Sequence, residues 1–210
     1  MFLRTTGLFT MTLLELGIAT APSATAIVEP PTGSLSCGIA GTVVFRPALP
    51  DLPSRNAIRA RAHYASVSAC DASGVSGGRA VINDGDATLS MVFPAGADCA
   101  NVGGAPSFAA AKPAITVKLT NMTVVNGRSS ETTVATIRPT VTVLNTNGVW
   151  TFTGTIAQNK RGDAPFGGER FSATLAPKMT TAWSSCALHG VREVWTLPFD
   201  ATLSSVTITP

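Results

Sequence analysis

The stretch AIRARAHYASVSAC, residues 57–70, alternates Ile58, Ala60, Ala62 and Tyr64 against Arg59, Arg61 and His63. A period of two is the signature of a strand with one apolar and one polar face, because successive side chains leave the pleat on opposite sides. The same alternation recurs along the chain with turn residues between. GIAGTVVFRP (38–47) reads as a strand that ends where Pro47 removes a ladder donor. GRAVIN (78–83) and ATLSMVF (87–93) flank Asp84-Gly85-Asp86, a hairpin signal because Asp and Gly tolerate the positive φ of tight turns.

AITVKLTNMTVV (114–125) and GRSSETTVATIRPTVTVLN (127–145) continue the pattern, with Asn126-Gly127 and Asn147-Gly148 as further turns. VWTFTGTIAQ (149–158), ERFSATLAP (169–177), VREVWTLPF (191–199) and ATLSSVTITP (201–210) complete it. Helix signals are weak, since SFAAAKPA (107–114) supports one turn before Pro113 and nothing longer. About nine or ten short strands at turn-spaced intervals predict an all-β, antiparallel β-sandwich, each strand having one core face and one Thr/Ser face. Neither a repeat nor a linker divides the chain, so one domain is expected over residues 27–210.

Residues 1–26 carry a different signal. Arg4 precedes an apolar run from about Leu8 to Ala21, and the segment closes on Ala24-Thr25-Ala26. This is the order of a cleaved secretory signal peptide, although Glu15 interrupts the apolar run. The run is too short to span a bilayer. A lipoprotein signal is excluded because Ser34 occupies the position three before Cys37 that an aliphatic residue should hold. The chain is therefore expected to be secreted, extracellular or cell-surface associated, with no membrane span after cleavage.

Charge and cysteine content limit the function classes. Charged residues are only 13% of the 210, and the net charge of +3 is too small and scattered for a nucleic-acid binder. Four cysteines, Cys37, Cys70, Cys99 and Cys186, are an even number in an exported chain and predict two disulfides. Four cysteines allow three pairings. Cys37–Cys70 and Cys99–Cys186 are preferred, because the first pair flanks two neighbouring strand candidates. No CxxC occurs, and Cys186-x-x-His189 alone offers too few ligands for zinc.

The cysteine order has a family resemblance. Cys37 followed by GTVVFRPAL, Cys70 before GVSGGRAVI, then DCA, and finally SSCALHGV resemble uncharacterised secreted β-sandwich proteins of high-GC Gram-positive bacteria. The resemblance covers most of residues 27–210 and implies fold and compartment only. It assigns no functional residue.

Three places offer ligand contacts. Arg59, Arg61 and His63, with Arg55 just before them, would project from one strand face towards an anionic cell-envelope polymer, or else form a solvated or edge-protecting face. Trp183, three residues before Cys186, would stack on a sugar ring of a glycan or pack on the neighbouring cystine. Loop 159–168 contains Arg161-Gly162-Asp163, a candidate contact for a protein partner or a plain polar hairpin tip. Trp150 shares a face with Phe152 and Ile156, and is assigned to the core, as is Trp195 with Val191 and Leu197.

Catalytic signatures are sparse. Gly74-Val75-Ser76-Gly77-Gly78 spells G-x-S-x-G, and His189 follows an acid such as Asp163 in the order of a serine hydrolase. A nucleophile elbow needs a helix after the serine, whereas RAVIN reads as a strand, so the match is assigned to a flexible turn. Asp84-Gly85-Asp86 lacks the further oxygen ligands calcium requires. The sequence thus predicts a non-catalytic binding or surface-interaction module without a cofactor.

Overall fold

A computed structural model describes residues 29–77, 81–103, 110–146, 148–178 and 193–210. The strands among the described residues are β1 (Thr32–Ala40), β2 (Thr42–Pro50), β3 (Ile58–Ser76), β4 (Asp84–Phe93), β5 (Ala111–Val125), β6 (Arg128–Ile137), β7 (Pro139–Thr146), β8 (Val149–Ile156), β9 (Arg170–Leu175), β10 (Glu193–Pro198) and β11 (Ser205–Thr209). A five-residue helix, α1 (Cys99–Gly103), lies between β4 and β5. The chain is all-β and antiparallel, as the alternation predicts. Among the described residues no helix is long and apolar enough to cross a membrane.

The strands form one sheet in the order β6-β5-β4-β3-β1-β11-β9-β8-β7, with β2 beside β3 and β10 beside β2. β3 is the organising element. Its N-terminal part pairs with β2 (Arg61 opposite Val44, Arg59 opposite Arg46), and its C-terminal part pairs with β1 (Ser66 opposite Ala40, Ser76 opposite Thr32). β1 and β2 thus continue one another along the same edge of β3, bent at Gly41. A Cβ at Gly41 would lie 2.8 Å from the Cβ of Ala65, so the bend needs glycine there. The stretch expected as one strand from Gly38 to Pro47 is therefore two. Pro47 does not end the ladder either, because β2 continues along β10 to Pro50. The missing donor falls where the β2–β10 register shifts, a place that tolerates it.

Three further expectations change. Asp84-Gly85-Asp86 is not a hairpin: it begins β4, with Gly85 paired to Val67 on one side and Leu119 on the other. A Cβ at Gly85 would meet the Lys118 carbonyl oxygen at 2.2 Å, so this glycine serves close strand approach rather than a turn. The stretch 127–145 divides at Arg138 into β6 and β7, which raises the strand number above nine or ten. A helical turn lies at Cys99–Gly103, started by Asp98, whose Oδ1 accepts from the Asn101 backbone N–H at 2.7 Å, while most of the turn expected before Pro113 falls outside the described residues. Asn126-Gly127 does close a hairpin, both residues having positive φ, as a type I′ turn requires.

The buried rows follow the alternation. Val43 and Phe45 of β2, Ile58 and Ala60 of β3, Leu89, Met91 and Phe93 of β4, and Trp150 and Phe152 of β8 are all buried. The Trp150 ring lies 6.3 Å from Phe45, 6.0 Å from Phe93 and 6.3 Å from Phe199, so β8 packs across the core against β2 and β4, to which it is not hydrogen-bonded. Trp150 with Phe152 and Ile156 is core, as expected. Leu197 is buried, whereas Val191 and the Trp195 side chain lie outside the described residues.

The bridge Cys37–Cys70 forms as expected, across a sequence separation of 33, and ties β1 to β3. Cys186 lies outside the described residues, and with it the second expected bridge, Cys99–Cys186. The β1–β3 register shifts between Ser36 and Gly38, opposite Ala69, which adopts a φ of 51°. A left-handed backbone at a residue with a Cβ costs about 1–2 kcal/mol, part of which glycine recovers. Ala69→Gly is therefore expected to raise stability by about 0.5 kcal/mol, after the added entropy of the unfolded chain is subtracted. Urea unfolding of the two proteins reads this directly, and a loss of stability would show that the bulge is not strained.

Candidate functional site

The outward face of β3 carries the site. Ile58, Ala60 and Ala62 are buried, so Arg59 and Arg61 between them project to solvent, and both are exposed. The alternation does not continue as the sequence implies. The register shifts between Ala62 and Ala65, and the buried row continues at Ala65 and Val67. The side chains of His63 and Tyr64 lie outside the described residues. Of the expected row of three, the described side chains are those of Arg59 and Arg61.

The fold brings a further cation to this pair from a neighbouring strand. Arg46 of β2 is exposed and directly opposite Arg59, while Arg61 stands opposite Val44. Arg46, Arg59 and Arg61, with Val44, Ala57 and Val92, line a pocket of about 590 Å³. Arg61 also borders a second depression of about 230 Å³, whose floor includes Ser90, Thr88 and Ala114. The floor is low because these neighbours are small. Ser90 stands opposite Arg61 on one side and opposite Ala114 on the other, so a continuous row crosses the strands beside the guanidinium.

Electrostatics set this cluster apart. Like charges placed directly opposite on adjacent strands repel, at a cost of roughly 0.2–1 kcal/mol. Among the described residues no carboxylate lies within ion-pair distance of Arg46, Arg59 or Arg61. The acids of the same sheet are elsewhere. Asp86 sits four residues along β4 from Ser90, about 13 Å at the usual strand rise. Glu131 is engaged by Lys118 at 3.0 Å, and that hydrogen bond pushes the Lys118 ammonium pKa above its ordinary value. Each of these exposed arginines carries five donors that meet no acceptor among the described residues. Arg55 is exposed in the preceding segment, two residues before Ala57, which lines the pocket.

The β8–β9 connection, residues 157–169, is more ordered than a polar hairpin tip. Asn159 Oδ1 accepts from the backbone N–H groups of Arg161 and Asp163, each at 3.1 Å, and its Nδ2 donates to the Asp163 carboxylate. Gln158 Oε1 accepts from the Ala164 N–H at 3.3 Å. Phe166 is fully buried at a φ of 53°, and its N–H donates to the Pro31 carbonyl at 2.7 Å. The buried Glu169 then accepts from the Gly33 N–H at 2.6 Å. Arg161, Gly162 and Asp163 are exposed, but one carboxylate oxygen of Asp163 already has an internal donor. The loop is thus plugged into the core at Phe166, a residue the sequence reading passed over.

The remaining candidates separate. Trp183 and His189 lie outside the described residues. Gly74, Val75 and Ser76 form the end of β3, paired with Ser34, Gly33 and Thr32 of β1, so the segment is ladder rather than the expected flexible turn. The Ser76 hydroxyl lies 3.1 Å from that of Thr32. A Cβ at Gly74 would fall 2.9 Å from that of Ser34, which explains the glycine by strand contact. Among the described residues no group of three metal-ligating side chains gathers.

The sequence signal for Arg46 was present in VVFRP but not its meaning, since only the β2–β3 register brings it beside Arg59. Comparison with known protein families, with curated proteins and with solved structures finds no match to this chain, so its function has to be argued from the arginine cluster and its surroundings.

Proposed function

We propose that the protein is a secreted, non-catalytic binding module whose arginine face holds an anionic cell-envelope polymer. The observation that carries this reading is the opposed pair Arg46 and Arg59, with Arg61 beside it and no carboxylate of the described residues within ion-pair distance of any of them. A fold that keeps such a repulsion unrelieved gains from it when an anion supplies the missing charge. The described lining residues are three arginines with Val44, Ala57 and Val92, a composition that supports charge recognition. The position of Ser76 within the β1–β3 ladder supports the non-catalytic part.

The finer architecture belongs to the same reading. The sheet folds over as a sandwich, supported by the meeting of Trp150 with Phe45 and Phe93. Cys99–Cys186 is the second staple, and the Cys37–Cys70 bridge accords with an oxidising compartment. A second reading, a protein partner at loop 159–168, is favoured by the internal bracing that displays Arg161 in one conformation.

Titration of the oxidised protein with long-chain inorganic polyphosphate and with a polyuronate, over a salt series, tests the arginine face. Three guanidinium contacts imply a slope of log K against log salt of roughly −2. Arg46→Thr is expected to flatten that slope by about 0.7. The same variant should leave the fold as stable as before or more stable, by up to about 1 kcal/mol, because it removes the opposed charge. Salt-insensitive binding, or none to either probe, would overturn the reading. Binding lost on Arg161→Ala but not on Arg46→Thr would transfer the function to the loop.

A further inference from the structure

The arginine cluster is one end of a graded face. Along β4 the outward residues beside it are Val92, Ser90, Thr88 and Asp86, in that order. Val92 stands opposite Arg59, and Ser90 opposite Arg61. On the other side of β4, Ser90 stands opposite Ala114, Thr88 opposite Thr116, and Asp86 opposite Lys118 of β5. The face therefore changes in steps of two residues, about 7 Å each at the usual strand rise. Cations come first, then hydroxyls, then an acid.

The middle step is a trough. Thr88 is exposed, Ser90 and Thr116 are half-buried, and all three line the 230 Å³ depression that Arg61 borders. Their hydroxyls have no hydrogen-bond partner among the described residues. Ala114 carries nothing beyond its Cβ and leaves the trough open. Arg61 also lines the 590 Å³ pocket with Arg46 and Arg59, so the two depressions share it as a common wall. Beyond the trough the charge reverses. Lys118 is engaged by Glu131 at 3.0 Å and faces Asp86, so two carboxylates stand there against one ammonium.

We infer that the bound polymer carries its anionic groups apart, separated by uncharged units rich in hydroxyls, as in a phosphodiester-linked polyol. This rests on the reading of the arginine face as an anion site and narrows its ligand. The three guanidiniums take a phosphate, and the polyol unit that follows lies in the trough. Ser90, Thr88 and Thr116 suit such a unit because a hydroxyl both donates and accepts. A chain of phosphates joined by single oxygens has no hydroxyl to donate there. It also carries its charge up to Asp86 and Glu131, which repel it.

Calorimetric titration of the oxidised protein with two probes of equal phosphate number tests the inference. One is a glycerol phosphate oligomer linked by phosphodiesters, the other a linear polyphosphate. Charge density alone favours the polyphosphate, through counterion release. The opposite order is expected, with the glycerol phosphate oligomer bound about tenfold more tightly. Ser90→Ala combined with Thr116→Val should weaken that oligomer about tenfold, for two lost hydrogen bonds, and leave polyphosphate unchanged. Asp86→Asn is a gain-of-affinity check that misfolding cannot imitate: it should strengthen polyphosphate about twofold to threefold and the oligomer less. Equal affinity for the probes, or tighter polyphosphate binding, would overturn the inference while leaving the arginine face an anion site. So would equal weakening of both probes in the Ser90 and Thr116 variant. Binding of neither probe would overturn the underlying reading as well.

Discussion

Trp150→Ala is expected to cost about 3–5 kcal/mol of stability, the range for removing a large aromatic from a closed core. Trp150 is 1% exposed and belongs to β8, whereas two of the rings around it, Phe45 and Phe93, belong to β2 and β4, which do not neighbour β8 in the sheet. Phe199 closes the cluster edge-on, with the ring planes at 87°. Edge and tilted contacts of this kind add about 0.5–1.5 kcal/mol per pair beyond the area they bury. Removing the indole empties the point at which these strands meet, and the surrounding strands, pinned by their ladders, can collapse into the gap only in part.

The indole Nε1 finds no acceptor among the described residues, so one buried donor is already unsatisfied. Trp150→Phe keeps most of the ring contact and removes that donor, and its cost should stay below about 2 kcal/mol. Urea unfolding of the two variants separates the effects. If Trp150→Ala lost less than about 1 kcal/mol, the cluster would not be what joins β8 to β2 and β4.

Replacing both members of the Cys37–Cys70 bridge by alanine is expected to cost about 3–4 kcal/mol, from the closure entropy of a loop of this length. Its separation of 33 residues spans all of β2 and the connection into β3, so the bridge restricts the unfolded chain over that segment. The bridge also sits beside the bulge at Ala69, where the β1–β3 ladder is interrupted and least able to hold itself. The measurement is the urea midpoint and slope of the double variant. A lower midpoint with a steeper slope is expected, because the unbridged unfolded state exposes more surface. An unchanged midpoint would mean that the β1–β3 ladder alone fixes the register.

Much of this was legible in the chain. The alternation in AIRARAHYASVSAC identifies a strand, assigns Ile58, Ala60 and Ala62 to the core, and turns Arg59 and Arg61 outward, all of which the fold keeps. Asn126-Gly127 closes a hairpin because its turn needs two residues that accept positive φ, a local requirement. Trp150, Phe152 and Ile156 face the core for the same period-two reason. The adjacent-strand argument for Cys37–Cys70 also holds, since β1 and β3 are neighbours.

Where the reading departs from the structure, a non-local contact intervenes. Asp84-Gly85-Asp86 has turn chemistry, yet Gly85 is there to let Lys118 of β5 come close. The register shift between Ala62 and Ala65 breaks the period-two count along β3, and a bulge leaves no sequence mark when any residue can occupy it. Phe166 lies in a loop rich in polar residues and glycine, and only its contact with Pro31 at the start of β1 shows it to be a plug.

The sequence by itself determined the strand content, the inward and outward faces of most strands, the hairpin at Asn126-Gly127, and the chemistry of Arg59 and Arg61, because each depends on neighbours within a few residues. Only the tertiary structure decided that β1 and β2 share one edge of β3, that Arg46 stands opposite Arg59, and that Ser90 and Ala114 continue the row from Arg61. Those facts depend on register, which is the combined outcome of core packing between strands up to a hundred residues or more apart. A single bulge changes it without changing the local pattern.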